Sequence, residues 1–274
     1  KQYFFRIMVE DEFGHTSYSD NRSIDMEDIV KLYNVSPVSD NDQFGMREIL
    51  PAAIGISLLF LLFGGVLLYR SKGGEELDEN VSVIESSILD IRNKHMTEIA
   101  KGCDAVISCL GHVVSFKGIF GEPKKLCAES TQRLYNAIEA NNPTKAVKFI
   151  LMNTVGVSNP DLNEKRTWIE KLVLNLLHHL LPPHSDNEAA FDCLYTKIGK
   201  DKHNYIEWCI VRPDSLIDAN ISQYETVKSP VTGLFTGRPT TRANVAHFIV
   251  ELVMSSVTWN KWKFKTPVIM NKFK

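Results

Sequence analysis

GCDAVISCLGH, residues 102–112, is the stretch on which the reading of the fold turns. Asp104 to Cys109 is a short apolar run containing β-branched side chains, and Gly111 follows where the backbone must turn. A mostly apolar run of this length is how a strand buried on both faces reads, as in a parallel sheet. The pattern then repeats along the chain. Lys124 to Ala140 carries Leu126, Leu134 and Ile138 at near-helical spacing, and Asn141, Asn142 and Pro143 close it. Ala146 to Met152 (AVKFILM) is a second buried strand. Trp168, Ile169, Leu172, Val173, Leu176, Leu177 and Leu180 form a helical stripe that Pro182 and Pro183 stop. Tyr205 to Val211 (YIEWCIV) predicts a further strand, Asn244 to Met254 a helix, and Pro267 to Ile269 a last strand. Upstream, Val81 to Ile84 reads as a short strand. Strands alternating with helices predict an α/β protein with a mostly parallel sheet covered on both faces.

Taken in order, these segments resemble the atypical short-chain dehydrogenase/reductases of the NmrA-like, NAD(P)H-binding group, from about Val66 to Lys274. GCDAVISCLGH is similar to that family's fourth strand, and FILMNTVGV (149–157) to its fifth. WCIVRPDSLID (208–218) is similar to the sixth, with its Arg-Pro ending. TTRANVAHFIVELV (240–253) resembles a late helix of the family, with Asn244 in place of an acid. The resemblance implies a Rossmann-like, doubly wound parallel sheet, degenerate at its N-terminal side. It also implies binding of NADP or NAD, with NADP favoured, and oxidoreduction of an unidentified small molecule. Two other readings stand beside it: a non-catalytic NADP(H)-binding sensor or scaffold, and a fragment of a receptor- or adhesion-type membrane protein.

Ligands of open parallel sheets sit beyond the carboxyl ends of the strands. Ser108, Gly111, Asn153, Thr154, Arg212 and Pro213 lie at or just past such ends and are the expected cofactor contacts. The resemblance adds Arg70, after a second strand at Val66 to Tyr69, as partner of a 2′-phosphate. It also adds Ser87 and Ile88 beside the adenine, with Ser87 where the family carries an acid. The candidate catalytic residues are His112, Thr154 and Asn187. His112 follows the strand that borders the cofactor, and Asn187 lies in Asp186-Asn187-Glu188, a triplet that also reads as a plain helix start after the two prolines.

Several departures stand out. Nothing in Ile49 to Tyr69 spells the glycine-rich turn on which a pyrophosphate rests, and Gly55 alone is a poor substitute. Tyr224 and Lys228 have Tyr-x-x-x-Lys spacing, but they follow the sixth strand, whereas the family's pair precedes it. His178, His179 and His184 invite a metal reading, yet neighbouring helical residues point to different faces, and no metal is expected. The five cysteines show no C-x-x-C pair and read as reduced thiols of a cytosolic domain. Trp259 and Trp262, among Lys261, Lys263 and Lys265, read as a terminal segment packing on the domain.

The N-terminal part differs in character. Ile49 to Tyr69 carries no charge, and as a helix it would span about 31 Å, the thickness of a bilayer's hydrocarbon core. Arg70 and Lys72 follow as a stop-transfer pair. This predicts an acidic lumenal or extracellular segment over 1–48, a transmembrane helix over 49–69, and a cytoplasmic NAD(P)-binding domain over 70–274. The alternative folds 49–69 back as a remnant first strand and helix of a soluble cytoplasmic protein. Tyr3 to Asp20 alternates apolar and polar residues around Asp11-Glu12-Phe13-Gly14 and resembles the last hairpin of a fibronectin type III domain. Glycosylation acceptor patterns fall on both sides of the apolar run and do not decide the topology. A net charge of −2 excludes nucleic acid as the expected partner, leaving a dinucleotide, a small molecule and a membrane.

Overall fold

The structure, a computed structural model, describes residues 7–10, 16–17, 84, 86–112, 115–199, 204–231, 233–234 and 236–272. Arg70, the uncharged run 49–69 and Val81 to Val83 of the short strand expected over Val81 to Ile84 lie outside these. Among the described residues no helix is long and apolar enough to cross a membrane.

In chain order the elements are strands β1 (Ile7–Glu10) and β2 (Thr16–Ser17), helix α1 (Asn93–Ala100), strand β3 (Ala105–Ser108), and helices α2 (Phe116–Phe120) and α3 (Leu126–Ala140). Strand β4 (Val147–Met152) follows, then helices α4 (Trp168–Leu180) and α5 (Pro182–Asp192), the latter running into a π-helical turn, Cys193–Ile198. Next come β5 (Ile206–Pro213), β6 (Leu216–Ile217), β7 (Tyr224–Val227) and β8 (Thr240–Thr241). Helices α6 (Arg242–Met254) and α7 (Ser256–Trp262) precede the last strand, β9 (Val268–Asn271).

The main sheet has the order β2-β1-β3-β4-β5-β9-β7, with β1 to β9 parallel along the series and antiparallel strands at both edges. Val106 pairs with Phe149 and Phe149 with Trp208, so residues in register share a face. Val106, Phe149, Leu151, Trp208 and Ile210 pack against α1, α3, α5 and the π-helical turn. Ala105, Ile107, Ile150, Cys209 and Val211 pack against α6 and α7 on the other face. Two apolar faces explain why these strands read as continuous apolar runs. The α/β doubly wound, Rossmann-like architecture is therefore present.

Lys148 shows how an odd charge is used inside such a strand. Its Nζ donates to the carbonyls of Leu252 and Val253 at 3.2 and 2.7 Å, at the C-terminal end of α6, and lies 5.0 Å from the Trp259 ring centroid. A cation there meets the negative end of the helix dipole. Trp259 and Trp262 are buried, in line with a terminal segment packed on the domain.

Three expectations need correction. The helix over Trp168–Leu180 forms, held by a Thr167–Glu170 capping box, but most of its apolar stripe is outside the core. Trp168, Leu172 and Leu176 are 74%, 60% and 55% exposed, and only Glu170 and Leu177 are buried. Pro182 and Pro183 begin α5 as much as they end α4, because a first-turn proline has no amide to waste. The hairpin expected near the N-terminus also forms, Val9 opposite Ser17, yet it is not part of a separate sandwich. Ile7 and Met8 pair in parallel with Ile107 and Ser108, so β1 occupies the sheet position next to β3.

Candidate functional site

Strands β3, β4 and β5 end on one edge of the sheet. Ser108 pairs with Leu151, Met152 with Val211, and the Asn153 amide donates to the Val211 carbonyl at 2.8 Å. Ser108 is wholly buried there, and its hydroxyl has no hydrogen-bond partner among the described residues. Gly111 and His112 follow in the loop after β3.

His112 is held from behind. Its Nε2 lies 2.8 Å from Asp186 Oδ2, and both side chains are buried. Asp186 also accepts from the amides of Cys127 at 2.7 Å and Ala128 at 2.9 Å, in the first turn of α3. A carboxylate in that position meets the positive end of the helix dipole and satisfies amides that have no partner inside the helix. With Asp186 accepting throughout, His112 Nε2 is the donor, and a neutral imidazole then offers Nδ1 as acceptor. The next residue, Asn187, accepts from Asn153 Nδ2 through its carbonyl at 2.9 Å. Asn153 Oδ1 in turn accepts from the Thr154 amide at 2.8 Å. The second turn of α5 thus links His112 to Asn153 and Thr154. All three candidate catalytic residues lie in this one neighbourhood.

Other expected residues are placed differently. Arg212 is wholly buried and points inward. Its Nη1 lies 2.7 Å from Glu164 Oε1 and donates to the Val157 carbonyl at 2.9 Å, while Nε donates to the Thr266 carbonyl at 3.0 Å. Burial lowers its pKa and Glu164 raises it. Its donors are spent on holding the segment after β4 against β5. The Pro213 carbonyl accepts from the Val155 amide. Ile88 is a core residue, packed with Met96 and Leu134, while Ser87 is half-buried in the turn and caps it through Leu89 N. Tyr224 lies in a strand, not a helix, and its hydroxyl meets His247 Nδ1 at 2.8 Å. Burial pushes its pKa up to about 12, away from what a proton donor to a carbonyl needs. His178 and His184 both reach Glu188, the second at 3.3 Å.

The segments after β4 and β5 border an open pocket of about 850 Å³, lined by Asn163, Lys165, Glu170, Ser229, Val231 and Thr236 among others. Glu170 crosses from α4 to accept from the Leu234 amide and so fixes one wall. Just past the end of β5 stands Asp214, which sequence reasoning missed although it directly follows Arg212 and Pro213. Its carboxylate accepts from the amides of Arg238 and Ser215, and a Cβ on Gly237 would come within 1.9 Å of Oδ2. Burial outweighs those hydrogen bonds and raises its pKa from 3.8 to about 6. The folded state therefore holds a proton that the unfolded state releases near pH 4. Asp214 stabilises fully below pH 3.8, and that contribution is lost as pH rises through about 6. Asp214→Asn should gain about 1–3 kcal/mol relative to the parent between pH 4 and pH 7. Denaturant titrations at both values test this, and a difference that stays constant with pH would refute the shift.

The family follows from a separate comparison. A family model described as NAD(P)H-binding matches residues 66–256. The chain belongs to the NAD(P)H-binding family. No match is found among curated proteins. Among solved structures, this NAD(P)H-binding chain is similar to a Rossmann-fold NAD(P)-binding family protein from Shigella flexneri, at 18% identity, TM-score 0.46, over 74% of this chain and 79% of that one. A wide-type short-chain dehydrogenase/reductase from Veillonella parvula, in complex with NADP, matches at 15% identity, TM-score 0.48, over 71% and 74%. A candidate NADH-flavin reductase from Streptococcus pneumoniae matches at 17% identity, TM-score 0.48, over 73% and 84%.

The described residues of this NAD(P)H-binding chain fit one half of a dinucleotide. The orphaned Ser108 hydroxyl, Gly111 and the Asn153–Thr154 turn offer polar groups at the strand ends. The pyrophosphate half is not met in the same way. The strand beside β3 is β1, which pairs in antiparallel fashion with β2 on its other side. In sequence it is followed by Asp11 and Glu12, carboxylates that would repel a phosphate.

Proposed function

We propose that this chain binds NADP or NAD, in the manner of a short-chain dehydrogenase/reductase, across the carboxyl ends of β3, β4 and β5. A small organic substrate would enter the cavity beside Glu170. The observation that carries the reading is the link from His112 through Asp186 and Asn187 to Asn153, which gathers polar groups where a nicotinamide would lie. A bound dinucleotide would supply or accept a hydride. The chain's own part would be to orient it through Ser108, Gly111, Asn153 and Thr154, and to hold His112 in one tautomer. Residues 70–274 would form the nucleotide-binding unit, with β1 completing its sheet, and Arg70 would select for a 2′-phosphate.

A second reading, NADP(H) binding without turnover, is favoured by Tyr224. The tyrosine of the Tyr-x-x-x-Lys spacing, Tyr224, lies on a strand, where burial holds it protonated. Titration of the full chain with NADPH and NADH, followed by nucleotide fluorescence, tests both readings at their shared root. Saturable binding weakened at least tenfold by Asn153→Leu is expected. Absence of binding by demonstrably folded protein would overturn them.

A further inference from the structure

We propose that His112, Cys127 and Asp186 form a binding site for a zinc ion. Three different donor types converge from three elements: the loop after β3, the first turn of α3 and the second turn of α5. His112 nitrogen, Cys127 sulfur and a carboxylate oxygen of Asp186 all lie within 4.8 Å of one another, and all three residues are buried. A mixed nitrogen, sulfur and oxygen set suits zinc and is a poor match for magnesium or calcium, which take oxygen alone.

The present contacts show what the ion would replace. His112 Nε2 and Asp186 Oδ2 are 2.8 Å apart, with a proton between them. On a tetrahedral ion with bonds of about 2.0–2.2 Å, two such donors sit about 3.3 Å apart. An opening of roughly half an ångström between these two atoms, with Cys127 Sγ drawn toward them from its present place within 4.8 Å, converts one arrangement into the other. Asp186 would keep both α3 amides and turn toward the ion the lone pair it now offers to His112. Cys127 Sγ now contacts the Leu110 carbonyl at 3.4 Å. Its thiol proton would leave to solvent as the sulfur–zinc bond forms, and the imidazole proton would move from Nε2 to Nδ1. No electrons are transferred. One dication with one thiolate, one carboxylate and a neutral imidazole leaves no net charge, which a buried site requires. Water would complete the fourth position.

The proposal goes beyond nucleotide binding and does not depend on it. An ion here would clamp the Gly111–His112 loop to α3 and α5, and so set the shape of the strand-end groove. The test uses the full chain, stripped with chelator and titrated with cobalt(II) and then zinc. One equivalent of cobalt should produce thiolate-to-metal charge-transfer absorption, displaced by zinc, in the parent and in Cys193→Ser. That absorption should be missing from Cys127→Ser, and His112→Gln should bind at least tenfold more weakly. Circular dichroism establishes that each variant is folded. Folded parent that takes up no stoichiometric metal, or absorption that survives Cys127→Ser, would overturn the site. Metal binding without NADPH binding would remove the proposed function and leave this site standing.

Discussion

Glu164→Gln is expected to lower stability by about 3–5 kcal/mol, the usual result of stranding a buried charge. Glu164 lies between two guanidiniums, 2.7 Å from Arg212 Nη1 and 3.6 Å from Arg166 Nη2, and none of the three side chains is more than 5% exposed. Glutamine keeps the shape and removes the only acid of this triplet, so two cations face each other without water. Arg212→Met should cost less, about 2–4 kcal/mol, because Arg166 still pairs with Glu164 while the Val157 and Thr266 carbonyls lose a donor. Denaturant unfolding measures both. At about 2–4 °C per kcal/mol for a chain of this size, Glu164→Gln should melt roughly 10 °C lower. The order of the two variants is the test: Arg212→Met proving the more damaging would mean that Glu164 is not the keystone. Folded Arg212→Met should also bind NADPH as the parent does, since its donors all point inward.

Asp186→Ala should cost about 2–4 kcal/mol, adding a lost helix cap to a buried charge-assisted hydrogen bond. It removes the acceptor shared by His112 and by the Cys127 and Ala128 amides. Amide exchange should accelerate at Cys127 and Ala128 while the middle of α3 stays protected. Asp186→Asn, retaining one acceptor oxygen, should fall between parent and alanine. A loss under about 1 kcal/mol for the alanine variant would show that water replaces the carboxylate there.

The strands were legible for a plain reason. A strand covered by helices on both faces is apolar along most of its length, and AVIS, VKFILM and IEWCIV show it with Lys148 and Glu207 as the charged exceptions. Helix ends were legible where local chemistry sets them. Asn141 ends α3 by donating from Nδ2 to the Ala137 carbonyl, and Asn142 follows at φ 44°, a conformation asparagine tolerates. The stripe on α4 was legible as a stripe, but periodicity says only that one face differs from another. Which face meets the core depends on neighbours far along the chain, here Glu170 reaching Leu234. Asp186 was hidden for the same reason. In sequence it is one acid in a polar triplet after two prolines, and its partners lie 59 and 74 residues away. Arg212 misled because a strand-end position tells where a residue is and nothing of where its side chain turns.

By itself the order of apolar runs and turn residues determined the α/β layering, the positions of β3, β4 and β5, and the edge on which their polar ends collect. Only the tertiary structure decided that β1 sits beside β3, that Arg212 closes on Glu164, and that His112, Cys127 and Asp186 meet. Backbone periodicity is a local property carried by neighbouring residues. The pairing of buried charges and hydrogen bonds depends on distance in space, and distant segments acquire that only when the sheet assembles.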